Sequence, residues 1–312
     1  MIRTVTPNPS FDHTYQVPKL ELGEIARAQA VTIEAAGKGV NVARTASVNG
    51  TEAVAVMPGS ASDGAAFRAQ LELVGVTCLV VDRVEPTRRN ITVADADGTT
   101  TKVNEGGPAL DATMEQALIA GIDASPEDLV AGCGSLAPGT DPGFYAHLSA
   151  ALPNPGAQLA LDSSGEPLHR CLDVPCLVAK PNRAELEELL DVRLDTYGQL
   201  VTAAGELVGR GWSNVLVSLG PAGAVLVNAD GAWHGTAPTD MVGNTVGAGD
   251  ALLTGYLCDP VTPERALASA LAFARASVRS TMTAGTVVGD DDRAAVQIGS
   301  VNADQQLGDE TG

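Results

Sequence analysis

Short runs of apolar, β-branched residues alternate with longer alanine-rich stretches from one end of the chain to the other. Such short runs predict buried strands, and their alternation with helical stretches predicts a mainly parallel sheet flanked by helices. The candidate core strands are residues 53–57, 128–132, 158–162, 176–179 and 215–219. The pattern therefore predicts an α/β fold.

Polar and glycine-rich clusters follow four of these predicted strands directly. They are residues 134–139, 162–165, 180–182 and 218–223. Because ligands of such sheets bind beyond the carboxyl ends of the strands, these clusters predict one shared cleft.

Two segments do not follow this alternation of predicted strands and helices. Residues 12–34 contain extended-looking pieces, and residues 89–104 form two alternating runs about an Asp97-Gly98 turn of the hairpin type. Together they predict a small antiparallel sheet outside the core. The pattern leaves open whether this sheet is a decorative hairpin or a lid over the cleft. The acidic segment after Gly285 offers little apolar surface, so we expect its last residues to fray.

Composition narrows the class of protein. The 312 residues are 45% hydrophobic and 18% charged, which is enough apolar material for a substantial core. We expect one domain spanning residues 1–312, with an excursion contributed by about 12–34 and 86–105. The net charge of −19 disfavours nucleic acid as a partner. No apolar run is long enough for a membrane span and no signal peptide is evident, so we expect a cytoplasmic protein without a membrane partner.

Cysteine and histidine positions suggest no metal or disulfide framework. The five cysteines are scattered, odd in number and without a CxxC pair, so we expect free, mostly buried thiols. None of the four histidines has a partner at metal-ligand spacing.

The sharpest chemical motif is NTVGAGDALLTGYL, residues 244–257. Residues 245–249 form a small-residue turn that leads into a helix, so several backbone N–H groups at the helix start can face a bound anion. Asp250 falls in the first helical turn, where a carboxylate can simply complement the helix dipole. A carboxylate beside an anion hole can also act as a general base in phosphoryl transfer, and the complete GAGD string favours that interpretation.

A second motif, LVAKPNRAELEELL, follows the predicted strand 176–179. Asn182 and Glu185 have the spacing of a helix cap and its partner, and on spacing alone this capping box is the favoured explanation. The same polar pair could also lie near a hydrated Mg²⁺ ion. Both interpretations can hold together.

Two glycine-rich turns offer room for ligands. In SLGPAG, Gly220 and Gly223 allow the backbone to approach a nucleotide, although the signal is weak by itself. AAGKGVNVART fails the phosphate-binding P-loop pattern and the dinucleotide pattern, which removes support for hydride transfer. What remains is a turn able to meet sugar hydroxyls, with Lys38 available for an anionic group.

Basic residues are scarce, so their grouping at the predicted small sheet is informative. Arg88 and Arg89 precede one strand, and Lys102 lies on the next. They are either solvated edge charges or, if the sheet is a lid, cations that hold a substrate anion. Asp12 is either an acceptor for sugar hydroxyls or a turn-forming residue.

The ordered series TPNPSFD, AGKGVN, TRRNIT, GSLAPG, DSSGE, KPNRAE, SLGPAG and TVGAGD spans nearly the whole chain. It resembles the ribokinase-like carbohydrate kinases of the PfkB group, and within it the 1-phosphofructokinase and tagatose-6-phosphate kinase branch. The resemblance implies ATP and Mg²⁺ as cofactors and a β-sheet lid that often mediates dimerisation. Ala36, Ala137 and Asn244 depart from the usual pattern, and the contact made at Asn244 is the one put in doubt.

The resemblance also implies roles for individual residues. The catalytic base would be Asp250, with Gly247, Ala248 and Gly249 as the anion hole. Residues implied to bind the sugar phosphate are Asp12, Gly37, Lys38, Asn41, Arg88 and Lys102. Residues implied to bind ATP or, through water, magnesium are Lys180, Asn182, Glu185, Ser218, Gly220 and Gly223.

We therefore expect an ATP-dependent sugar-phosphate kinase that converts fructose 1-phosphate to fructose 1,6-bisphosphate. A ketohexofuranose is nearly two-fold symmetric about its ring oxygen, so one clamp could hold either phosphate end. Tagatose 6-phosphate and fructose 6-phosphate remain alternative substrates. A catalytically silent sugar-phosphate sensor is a further alternative, disfavoured by the retention of Asp250.

Overall fold

The computed structural model describes residues 1–308. The strands are β1 (Ile2–Val5), β2 (Ser10–Gln16), β3 (Ala30–Ala36), β4 (Ala53–Gly59), β5 (Thr77–Asp82), β6 (Arg88–Ala94), β7 (Thr100–Asn104), β8 (Leu129–Cys133), β9 (Leu159–Asp162), β10 (Val178–Ala179), β11 (Asn214–Ser218), β12 (Ala224–Asn228), β13 (Gly231–Thr236) and β14 (Gln297–Ser300). The helices are α1 (Lys38–Val48), α2 (Ala61–Glu72), α3 (Ala112–Ile122), α4 (Phe144–Ala151), α5 (Pro155–Gln158), α6 (Gly165–His169), α7 (Arg183–Leu190), α8 (Tyr197–Gly209), α9 (Ala248–Cys258), α10 (Pro263–Arg279) and α11 (Asp290–Ala294).

Ten strands form one large sheet in the order β14-β13-β12-β11-β10-β9-β8-β1-β4-β5. The pairings from β11 to β5 are parallel, and those from β11 to β14 are antiparallel. This confirms the predicted α/β class, and all five predicted core strands are present. The strand β1 was not predicted, because its four residues include Arg3 and Thr4 and so lack an apolar run. Arg3 is accommodated by an ion pair with Asp128 at 2.8 Å.

Helices cover both faces of this sheet, and the strands contribute alternate side chains to each side. On β4, Val54 and Val56 pack with the cluster under α3, α4, α7 and α8. Ala53, Ala55 and Met57 pack instead with the cluster under α1, α2, α9 and α10. The continuous apolar run of β4 is therefore explained by burial on both faces.

Four strands form a smaller sheet in the order β3-β2-β6-β7. The two outer pairings are antiparallel, as expected, whereas the central strands β2 and β6 run parallel. Parallel pairing is possible because β2 and β6 come from distant parts of the chain and are not joined by a hairpin.

The acidic C-terminal segment is built into the fold over most of its length. Strand β14 extends the large sheet by pairing with β13, and Ile298 packs against the core. Beyond it, the backbone N–H of Tyr197 donates to Gln305 O at 3.0 Å. The expected fraying concerns the last residues, and residues 309–312 lie outside the described part of the chain.

Other expectations concern thiols, histidines and membrane spans. All five cysteines are free, and four of them are buried. His147 on α4 lies 2.5 Å from the buried Glu115 on α3, a contact between distant residues that spacing in the sequence does not reveal. Across residues 1–308, none of the helices is both long and apolar enough to cross a membrane.

Candidate active site

The carboxyl ends of β9, β10 and β11 deliver polar residues to one edge of the large sheet. Asp162 ends β9, Lys180 follows β10 directly, and Ser218 ends β11. Helix α9 begins at the same place, since a Cβ on Gly249 in its first turn would lie 3.2 Å from Lys180 Nζ. The structure thus brings together clusters that are far apart in sequence.

The turn before α9 places a glycine in the left-handed region directly before the helix start. Gly247 has a φ of +84°, and a Cβ atom there would overlap the carbonyl oxygen of Thr283. Ala248 begins the helix, so the N–H groups of its first turn have no intrahelical acceptor. Asp250 follows in that turn with only 7% of its surface exposed.

Helix α1 contributes further residues to the site. Gly37 precedes it with a φ of +130°, and a Cβ there would lie 2.7 Å from the Thr6 side chain. The glycine at position 37 permits this backbone turn, so that α1 begins at Lys38 and has Lys38 and Asn41 at its start. Asn41 Nδ2 donates a 2.7 Å hydrogen bond to Asp250 Oδ2. Lys38 and Asn41 from one motif and Asp250 from another are therefore neighbours.

The sequence analysis placed Asp162 in the cleft cluster 162–165 but assigned it no role, whereas the structure places it between two lysines of the site. Lys38 Nζ lies 2.9 Å from Asp162 Oδ1, and Lys180 Nζ lies 3.3 Å from Oδ2. Asp162 and Lys180 are 1% and 6% exposed. The available signal was an acidic residue ending an otherwise apolar strand, LALD, at the predicted cleft.

Burial and charge shift the protonation equilibria of this cluster. Burial, and next the negative charge of Asp162, raise the pKa of Asp250 to about 6, against the opposing hydrogen bond from Asn41. Burial would also raise the pKa of Asp162, but Lys180 and Lys38 lower it below its ordinary value. Burial would lower the pKa of Lys38, but Asp162 raises it. Two carboxylates close together therefore have opposite shifts, a pattern typical of catalytic sites.

The smaller sheet carries most of the remaining sugar-site candidates on one face. Ser10, Asp12 and Arg88 lie on this face by register, and Asn90 Nδ2 donates to Asp12 Oδ1 at 2.8 Å. Burial lowers the pKa of Arg88, and Asp12 opposes that shift. Asn90 is a residue that the motif analysis did not select.

Lys102 is less closely associated with this group. Its register partner is Thr92, so it lies on the same face as Arg88 but farther along the sheet. Its side chain is exposed, and no ion pair to it is found within residues 1–308. The structure therefore does not bring Lys102 into contact with Asp12 or Arg88.

A groove of about 330 Å³ opens where the smaller sheet joins the core. Arg88 and Arg89 line it, together with Glu105 and Gly107. Arg88 is oriented by backbone oxygens, because its Nε donates to Asn8 O at 3.3 Å and its Nη1 donates to Glu105 O at 3.2 Å. An anionic substrate group is the ligand that such a fixed guanidinium suits.

On the other side of the site, the capping box predicted before α7 is present. Asn182 Oδ1 accepts from Glu185 N at 2.8 Å, and Glu185 Oε2 accepts from Asn182 N at 2.9 Å. Asn182 also forms a bridge to Ser218 on β11. The cap explains both residues structurally, and it leaves Glu185 Oε1 for a further interaction.

The two glycines of the SLGPAG turn differ in their surroundings. Gly223 has a φ of +88°, and a Cβ there would overlap the carbonyl oxygen of Gly235, so packing alone requires glycine. Gly220 has a φ of +55° and open space where a Cβ would stand. Packing therefore explains the glycine at position 223, whereas no packing contact explains the one at 220.

Comparisons with known proteins identify the family of this chain. The family model for pfkB family carbohydrate kinases matches residues 5–288. The 1-phosphofructokinase of Haloferax volcanii is 37% identical over 82% of this chain and 83% of its own length. That of Xanthomonas campestris pv. campestris is 33% identical over 89% and 91%. The crystal structure of phosphofructokinase-2 from Escherichia coli superposes with a TM-score of 0.86 at 27% identity, covering 94% of this chain and 97% of that one.

Proposed function

This chain belongs to the pfkB family of carbohydrate kinases, and from that premise we propose that it phosphorylates fructose 1-phosphate to fructose 1,6-bisphosphate with ATP. The observation that carries the proposal is the buried Asp250, held by Asn41 directly after the turn Gly247 to Gly249. Relatives that bear the name 1-phosphofructokinase support the choice of sugar.

The proposed reaction uses Asp250 as the general base. Its carboxylate takes the proton of the attacking primary hydroxyl, whose oxygen forms the new bond to the γ-phosphorus of ATP. The bond from that phosphorus to the bridging oxygen breaks, and ADP leaves. The N–H groups at the start of α9 stabilise the negative charge on the phosphoryl group in transit. A helix start is suited to this role because its N–H groups are oriented before the substrate binds.

The sugar phosphate is proposed to bind between α1 and the smaller sheet. Arg88 holds the phosphate already on the sugar, while Asp12, Gly37 and Asn41 meet the hydroxyls. Lys38 adds positive charge beside them. Lys102 takes part only if the smaller sheet moves toward the core as a lid, which is our proposal for residues of about 12–34 and 86–105 within a single domain.

The nucleotide is proposed to bind along Lys180, Ser218, Gly220 and Gly223. A magnesium ion suits the carboxylate donors nearby, because Glu185 has one oxygen outside its capping box and lines a small cavity with Glu166 and Glu188. Asn182 and Glu185 would hold the ion through water, since magnesium keeps much of its hydration shell. Such an ion would neutralise phosphate charge when bound.

Fructose 6-phosphate is a second candidate substrate, because phosphofructokinase-2 from Escherichia coli has been crystallised in complex with that sugar and shares the fold at a TM-score of 0.83. Tagatose 6-phosphate has the same ring symmetry. ADP release measured over fructose 1-phosphate, fructose 6-phosphate, tagatose 6-phosphate and free fructose distinguishes them. The proposal expects the highest kcat/KM with fructose 1-phosphate. A higher value with another sugar phosphate would reassign the substrate, and no turnover with any would favour a sensor.

We further propose a homodimer formed through the smaller sheet. The face opposite Asp12 and Arg88 carries Ile33 and Val103, which are 50% and 61% exposed. A second copy would cover this apolar face. Val103→Lys should then yield a monomer by light scattering, whereas Thr32→Lys on the opposite face should not.

We also propose that the protein works in a reducing compartment such as the cytoplasm, because its cysteines are free thiols.

A further inference from the structure

Asp162 is the most buried charged group of the site, yet the reaction proposed above assigns it no step. A lone carboxylate at this depth would be expensive to keep ionised, so its partners decide what it does. Both partners are lysines that flank it, Lys38 from α1 and Lys180 from the end of β10. Asp162 is thus the shared point of attachment of two cations from different elements.

The two lysines face different parts of the site. Lys38 stands in the same turn of α1 as Asn41, which holds Asp250. Lys180 faces the anion-hole turn, because a Cβ on Gly249 would lie 3.2 Å from Lys180 Nζ. The backbone of Asp162 is fixed as well, since Gly134 N donates to its carbonyl oxygen at 2.9 Å. The carboxylate of Asp162, at the end of β9, therefore connects the α1 side of the site, through Lys38, with the α9 side, through Lys180.

We propose that Asp162 is a positioning residue, which holds Lys38 and Lys180 in their working places and keeps a negative charge beside Asp250. The inference rests on the proposed function in assigning Asp250 that role, but its electrostatic part concerns the protein alone. Asp162 itself makes and breaks no bond in the reaction.

The electrostatic part follows from the groups that surround Asp250. Asp162 on β9 is the negative neighbour, Lys38 on α1 and Lys180 after β10 are the positive ones, and Asn41 donates a hydrogen bond. The Cys133 thiol on β8 stays neutral because burial raises its pKa well above its usual value. On α10, which also packs against α9, Arg275 and Arg279 are paired with Asp292. Burial raises the pKa of Asp250 most, and the charges that act on it besides are those of Asp162 and the two lysines.

Two substitutions should move this protonation in opposite directions. Asp162→Asn removes the negative neighbour and releases the two lysines from it, so the pKa of Asp250 should fall by about half a unit or more. Lys180→Met removes a positive neighbour and leaves Asp162 less neutralised, so the pKa of Asp250 should rise by a similar amount, about half a unit. Asp173→Asn is the matched control, because Asp173 is an exposed aspartate paired with Arg210.

The test is a ¹³C-carboxyl NMR titration of aspartate-labelled, full-length protein without nucleotide, sugar or divalent metal. The signal of Asp250 is the one that titrates near pH 6 in the parent and is missing from Asp250→Asn. We expect its midpoint to move down in Asp162→Asn, up in Lys180→Met, and not at all in Asp173→Asn. The acid limb of kcat/KM against pH should follow the same shifts, with kcat lowered by about 10-fold or more in Asp162→Asn.

An unchanged midpoint in folded Asp162→Asn would overturn the proposal, and so would a parental kcat with both substrates. If Asp162→Asn does not fold, Lys180→Met decides, and a midpoint that stays or falls refutes the inference. Failure of the proposed kinase activity is a separate result, since it would remove the rate measurements but leave the titration intact.

Discussion

Replacing Asp250 by asparagine tests the central chemical assignment. The substitution keeps the shape of the side chain and leaves an amide oxygen for the hydrogen bond from Asn41, which spans 2.7 Å to the carboxylate. It removes the basicity and the charge. If Asp250 takes the proton of the attacking hydroxyl, kcat must fall, while ATP and sugar phosphate should still bind.

The size of the loss can be worked out from the protonation state. With a pKa of about 6, Asp250 is ionised over protonated by roughly thirty to one at pH 7.5, so nearly all parent molecules carry the base. General-base assistance accounts for roughly 10²- to 10⁴-fold in rate, or about 3–5 kcal/mol of activation free energy. A carboxylate that only complements the helix dipole contributes about 0.3–1 kcal/mol to stability and nothing to kcat.

The stability of the variant should change in the direction opposite to its activity. A carboxyl group whose pKa is raised by folding stabilises the folded state at low pH, and this contribution is lost as the pH rises through about 6. At pH 7.5 the buried charge therefore costs on the order of 2–3 kcal/mol, which asparagine avoids. The thermal unfolding midpoint of Asp250→Asn should equal or exceed that of the parent, and the difference should disappear near pH 4.

The assay is steady-state ADP release with calorimetric measurement of both dissociation constants. We expect kcat to fall at least about 10²-fold, with each dissociation constant within a few-fold of the parent. Asp259→Asn at the end of the same helix is the matched control, because Asp259 is a surface residue paired with Arg265. A near-parental kcat for Asp250→Asn would show that Asp250 is only a helix-start residue, and the mechanism would be wrong.

Two further substitutions examine the sugar clamp and the anion-hole turn. Charge-assisted hydrogen bonds contribute roughly 1.5–3 kcal/mol each, so Arg88→Ala should lower kcat/KM for fructose 1-phosphate by about 10- to 100-fold and for free fructose far less. Arg193→Ala is the matched control, because Arg193 is an exposed arginine paired with Asp195 outside the groove, and it should affect neither sugar strongly. Equal losses for both sugars in Arg88→Ala would exclude a phosphate contact. Gly247→Ala should lower the free energy of unfolding by at least about 1 kcal/mol, because its φ is +84° and the Cβ overlaps Thr283 O. Gly249→Ala should unfold closer to the parental temperature, since its Cβ would lie 3.2 Å from the end of the Lys180 side chain and not against backbone, and equal midpoints for the two variants would contradict the argument.

The local sequence was sufficient to predict the buried strands and the helix cap, because their causes lie within a few neighbouring residues. Runs such as β4 and β9 are apolar because both faces of the sheet are buried, and period and composition report that burial directly. The capping box of Asn182 and Glu185 depends on a three-residue spacing, and the structure contains it. The strand β1 shows where this signal fails, because four residues with two polar side chains do not form a recognisable run.

Single motifs could propose roles for side chains, but they could not specify which residues touch. Lys38, Asp162, Lys180 and Asp250 are spread over more than two hundred positions, and their distances depend on the order of strands in the sheet. Long-range order of this kind comes from tertiary packing and leaves no short-range pattern. For the same reason the pairing of His147 with Glu115 was not expected.

The sequence by itself determined the α/β class, the positions of the glycine turns and the place of Asp250 in the first turn of the helix that follows one of them. Only the tertiary structure decided that Asp162 lies between two lysines, that Lys102 stands apart from Arg88, and that Gly223 is required by packing against Gly235. The physical reason is that propensity, capping and turn chemistry act over a few neighbouring residues, whereas burial, charge and pKa depend on everything that packs around a group.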